Sequence, residues 1–93
     1  MNKKDAYIEK AQAKIDEQVA KLDQLKAQVK GKVADRKIEA HEKIERLETK
    51  LNAAKARLAE IVDSAEDAWE GLTDRFESLT DDLSTSVKKF LGK

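Results

Sequence analysis

Ninety-three residues are enough for one small domain, and 19 bases against 19 acids leave the chain without net charge although 41 % of it is charged. It has one Trp, one Tyr, two Phe, no Cys and no Pro. That excludes disulfides, thiolate metal sites and a core built on bulky rings, and the redox compartment is unreadable. Disordered chains combine low hydrophobicity with high net charge, and only the first half of that signature is present. Ala, Lys, Glu and Leu are abundant, a composition that goes with long helices and coiled coils. No stretch approaches the ~20 apolar residues that span a bilayer, and Met1–Asp5 is polar, without the apolar run of a signal peptide. The expected location is cytoplasmic.

From the N-terminus, apolar residues recur at Ile8, Ala11, Ile15, Val19, Leu22, Leu25, Val29 and Val33. Steps of three and four keep one helix face apolar, and Ile8, Ile15, Leu22 and Val29 stand seven apart as a heptad seam. A helical segment is predicted over about 3–31. Gly31 then costs about 1 kcal/mol in a helix interior, Ile38 falls off the seam, and Asp35 is placed to cap a second helix. Residues 31–36 are therefore a candidate bend.

The second segment, about 36–62, carries Ile44, Leu47, Leu51, Ala54, Leu58 and Ile61. The same phase continues through Ala65, Ala68 and Leu72, alternating three and four throughout. A second candidate bend lies at 63–65. Ser64 with Asp67, or Asp63 with Glu66, has the spacing of a capping box, and Asp63, Glu66, Asp67 and Glu70 crowd acids where a helix N-terminus favours them. The third segment, about 65–91, has the stripe Leu72, Phe76, Leu79, Leu83, Val87 and Phe90, with Leu91 beside it. The eleven-residue stride from Leu72 to Leu83 suits a straight or slightly right-handed helix.

Two bends predict three helices of similar length, one bend a long and a short helix, and no bend a rod on the order of 130 Å that must associate to bury its stripe. Residues 1–62 hold fifteen bases against eleven acids, a net of +4, and residues 63–93 hold four against eight, a net of −4. The acidic segment is expected to lie on the basic one, in the same chain or a neighbour. Glu17–Lys21, Glu39–Lys43 and Glu42–Arg46 are favourable i,i+4 pairs.

Candidate chemistry is thin. His41, the only histidine, has Glu45 and Glu48 four and seven positions on, but the position three before it is Ile38, so the Glu-x-x-His pattern of di-iron bundles is missing. An exposed helix residue among charges accounts for it, and no metal or cofactor is expected. Ser64, Ser78, Ser84 and Ser86 have only His41 as a base, and Gly31, Gly71 and Gly92 stand apart rather than in a phosphate loop. No catalytic residue is assigned. Lys26, Lys30, Lys32, Arg36 and Lys37 form a basic stretch without interleaved aromatics, which argues for a solvated bend over nucleic-acid binding. Trp69, beside the seam, either covers a core edge or, if exposed, anchors a partner helix or a lipid interface.

The segment Asp67-Ala68-Trp69-Glu70-Gly71-Leu72, after a long charged helix opening with Tyr7-Ile8, resembles a group of small bacterial coiled-coil proteins without an assigned activity. The chain departs from that group's pattern at Ala65, where Gly is usual after Ser64, and at Leu79–Thr80, where a second Trp is usual. The resemblance implies architecture alone. A looser similarity is to phasins and apolipoprotein-like helices that coat apolar surfaces.

The resulting expectation is an all-α chain of long amphipathic coiled-coil helices, a hairpin or short bundle that self-associates. Its function would be non-enzymatic, a structural or protein-interaction module. The expected interface is Ile8, Ile15, Leu22, Val29, Ile44, Leu47, Leu51, Leu58, Ile61, Trp69, Leu72 and Phe76, with partner helices or further copies as partners. The alternative is reversible coating of a lipid or storage-polymer surface.

Overall fold

A computed structural model describes residues 2–31 and 34–91; Lys32 and Val33 lie outside the described residues. Three α-helices follow one another: α1 (Lys3–Val29), α2 (Ala34–Asp63) and α3 (Thr73–Leu91), with a 3₁₀ turn at Trp69–Leu72 before the last. No strand occurs among the described residues. The fold is the expected all-α short bundle, 51 × 19 × 18 Å.

Helix α1 starts where Asn2, in extended conformation, accepts a hydrogen bond from the Asp5 N–H (2.8 Å) through its side chain. That satisfies one of the free donors of the first turn. The heptad positions Ala11, Ile15, Leu22, Leu25 and Val29 are all buried. Ala40, Ile44, Leu47, Leu51, Ala54, Leu58 and Ile61 do the same for α2, and Phe76, Leu83 and Val87 for α3. These seams meet in one continuous core, with Tyr7, Ile8, Val19, Leu72, Leu79 and Phe90 packed at its edges. Each fully buried Leu, Ile or Phe adds about 1.5–3 kcal/mol by leaving water.

The bends differ in detail from expectation. At the first, α1 ends at Val29 and α2 starts at Ala34, so Asp35 lies inside the helix and does not precede it as a cap would. At the second, α2 ends at Asp63, but α3 starts at Thr73 instead of residue 65. The Ser64 hydroxyl donates to the Ile61 carbonyl (2.6 Å), and a turn closes from Ala68 N–H to Ala65 O (3.0 Å). No capping box forms at Ser64–Asp67 or Asp63–Glu66, since no helix starts there. The unbroken heptad phase conceals this turn. Ala65 and Ala68, on the phase, are exposed, whereas Trp69, off it, is buried.

Candidate functional site

Of the twelve expected interface residues, Ile15, Leu22, Val29, Ile44, Leu47, Leu51, Leu58, Ile61, Trp69 and Phe76 are buried within the chain itself, and Ile8 and Leu72 lie half-buried at the core's edge. The seams therefore face one another inside a single chain. Among the described residues the only large apolar side chains left exposed are Ile38 (64 %) and Val62 (48 %). Ile38 is the residue whose position already falls off the seam.

The densest set of specific contacts sits where the start of α1 meets the 64–72 connector. Lys4 Nζ donates to the carbonyls of Val62 (3.1 Å) and Ser64 (2.6 Å). The last turn of α2 has no basic residue of its own, so Lys4 brings the cation that the negative end of that helix favours. One turn on, the Tyr7 ring packs tilted against Trp69 (5.5 Å between centroids) and edge-on to Phe76 (6.3 Å). The Tyr7 hydroxyl donates to Glu77 Oε2 (3.0 Å). Burial above all, then the hydrogen bond and charge of Glu77, with Asp74 beside them, push this phenol well above the ordinary tyrosine range. Trp69 thus covers a core edge and does not stand free as an exposed anchor.

The acidic C-terminal segment lies against the basic half through Lys50, which pairs with Asp82 (3.1 Å) and donates to Ser86 Oγ (3.1 Å). Lys26 pairs with Glu48 across α1 and α2, and Glu48 raises the Lys26 ammonium above its ordinary value. Half-exposed pairs of this kind are screened by water and orient more than they stabilise. Of the three same-helix pairs, Glu17–Lys21 closes at 3.6 Å, while Lys43 turns to the Phe90 ring (5.9 Å to its centroid).

Two buried polar residues were not legible as core. Thr80 settles its hydroxyl locally on the Glu77 carbonyl (3.1 Å). Gln18, 4 % exposed at a seam position between Ile15 and Leu22, leaves Oε1 without a partner. Its 3–4 spacing with Ile15 and Leu22 is the signal that places it on the seam.

His41 is exposed, and Glu48 below it is engaged by Lys26. Among the described residues no three His, Cys, Asp or Glu side chains gather as a metal site, and no helix is long and apolar enough to cross a membrane. An open groove of about 410 Å³ runs between α1 and α2, lined by Gln12, Ile15, Lys55, Leu58, Ala59, Val62 and Asp63. Comparison with known proteins finds no matching family model, no similar curated protein and no similar solved structure.

Proposed function

We propose that this chain is a non-enzymatic structural or protein-interaction module that acts through coiled-coil contacts between copies of itself, in the cytoplasm. The reading is supported by one observation above others: the apolar content is laid out as helix-length, heptad-spaced seams that fit one another, with +4 on residues 1–62 and −4 on residues 63–93. A seam that closes inside one chain closes equally well on the matching seam of another. Sedimentation equilibrium from low to high micromolar concentration tests this. A reversible rise in mass with helicity unchanged is expected; a folded chain that stays monomeric throughout overturns the reading.

A second reading is reversible coating of a lipid or storage-polymer surface. It draws on α3, whose buried stripe Phe76, Leu83 and Val87 continues to Phe90, with Lys88 and Lys89 in its last turn. Vesicle flotation is decisive for it: absence of co-flotation together with unchanged Trp69 emission removes it.

A further inference from the structure

The connector between α2 and α3 is helical by sequence and bent in the structure. Ile44, Leu47, Leu51, Ala54, Leu58, Ile61, Ala65, Ala68 and Leu72 keep one heptad phase across it, with no proline. In the bent chain Ala65 and Ala68 are exposed, and Trp69 takes a buried place beside Tyr7. A side-chain phase that is unused in one conformation fits a second conformation in which it is used.

We propose that residues 64–72 are a hinge, and that the chain self-associates by straightening it, so that α2 and α3 fuse and α3 docks on the α1–α2 pair of a second copy. This rests on the self-association reading above. The fused helix would run over residues 34–91, about 87 Å at 1.5 Å per residue. Ala65 and Ala68 then rejoin the seam. The occupant of the vacated surface is the second copy's α3, because it alone reproduces every contact α3 makes in the closed chain, including Lys50 with Asp82 and Tyr7 with Glu77. Exchange of an identical element is a low-cost route to a dimer. The polar exterior leaves little else to associate through: Ile38 and Val62 are the only exposed large apolar residues among those described. The Tyr7–Trp69 contact and the Lys4 hydrogen bond to Ser64 hold the bent form closed, since each joins α1 to the connector itself.

Two variants pull the hinge in opposite directions. Glu66 is exposed, comes after Ala65 in the turn closed by Ala68 N–H, and its own N–H has no backbone acceptor there. Proline suits that second turn position and is strongly disfavoured inside a helix. Glu66→Pro is therefore compatible with the bent chain and weakens a dimer with two straight hinges on the order of 10⁴-fold. A Cβ at Gly71 meets nothing within 4 Å, so Gly71→Ala is tolerated in the bent form; Gly71 already lies in the 3₁₀ turn there, so the change favours the straight form by the smaller difference between the two, tightening the dimer by up to about fivefold.

The readout is mass by sedimentation, together with an electron–electron distance between spin labels on Lys50→Cys and Ser86→Cys, diluted in unlabelled protein so that only pairs within one chain are seen. These positions touch in the bent chain and are 36 residues apart, about 54 Å in a straight helix. A dimer whose intrachain distance lengthens to about that value, lost in Glu66→Pro and enhanced in Gly71→Ala, is the expected result. A dimer with the short distance, or one that Glu66→Pro forms equally well, overturns the hinge and leaves self-association standing. Wild type and Gly71→Ala both monomeric at high micromolar concentration overturn both. Should Glu66→Pro lose its helicity, the Gly71→Ala comparison and the label distance still decide.

Discussion

The chain reverses direction twice, once between the end of α1 and the start of α2 and once across residues 64–72 after α2. The first reversal is short and carries a glycine at Gly31, and the heptad phase slips beyond it, with Ile38 left in solvent. The second is longer, and the phase passes through it intact. Hydrophobic phase is thus a record of which faces seek cover and not of where a helix stops. At the first bend local sequence disfavours continuation. At the second, continuation is locally acceptable, and the turn is held by distant groups, Lys4 and Tyr7 from the other end of the chain.

That contrast can be broken most forcefully at the aromatic cluster. Phe76 is fully buried and touches Tyr7, so Phe76→Ala should cost about 3–5 kcal/mol in urea unfolding. A loss under 1 kcal/mol would mean the second bend does not depend on tertiary cover. Gln18→Leu acts on the α1 seam, ahead of the first bend. It removes an amide oxygen buried without a partner and should raise stability by about 1–3 kcal/mol, seen as a higher urea midpoint with an unchanged slope.

Tyr7→Phe is expected to cost about 1 kcal/mol at neutral pH by deleting the hydrogen bond to Glu77. It has a distinctive pH signature. The folded chain holds the phenol proton more tightly than the unfolded chain, so this contribution is complete below about pH 10, where free tyrosine ionises, and falls as pH rises beyond it. The advantage of wild type over Tyr7→Phe should therefore shrink above about pH 10 and then reverse; an advantage that grows there would contradict the raised phenol. The smallest effect belongs beside the first bend: Ile38→Ala should stay within about 0.5 kcal/mol, because the side chain stands in water. A larger loss would give that bend a packing role like the second.

Helix class and most of the core were legible from 3–4 spacing alone, since Ile15, Leu22, Val29, Ile44, Leu47 and Leu51 owe their burial to the face they share. The start of α3 was not. The Ser64 and Asp63 spacings satisfy a capping rule that looks three residues ahead, whereas the turn is decided by contacts some sixty positions away, such as Lys4 to Ser64. Gln18 and Thr80 escaped because their side chains read as surface, although their register places them inside. Whether seams close within a chain or between chains is a matter of chain reversal, which spacing does not encode.

The ammonium of Lys4 on the Val62 and Ser64 carbonyls is a borrowed counter-charge: the far end of α2 is finished by a residue from the opening turn of α1. Fraying at one terminus therefore has an echo deep in the chain. Trimming the first four residues should quicken amide exchange around residues 61–64 as well as at the new N-terminus, coupling two places that the primary structure sets about sixty steps apart.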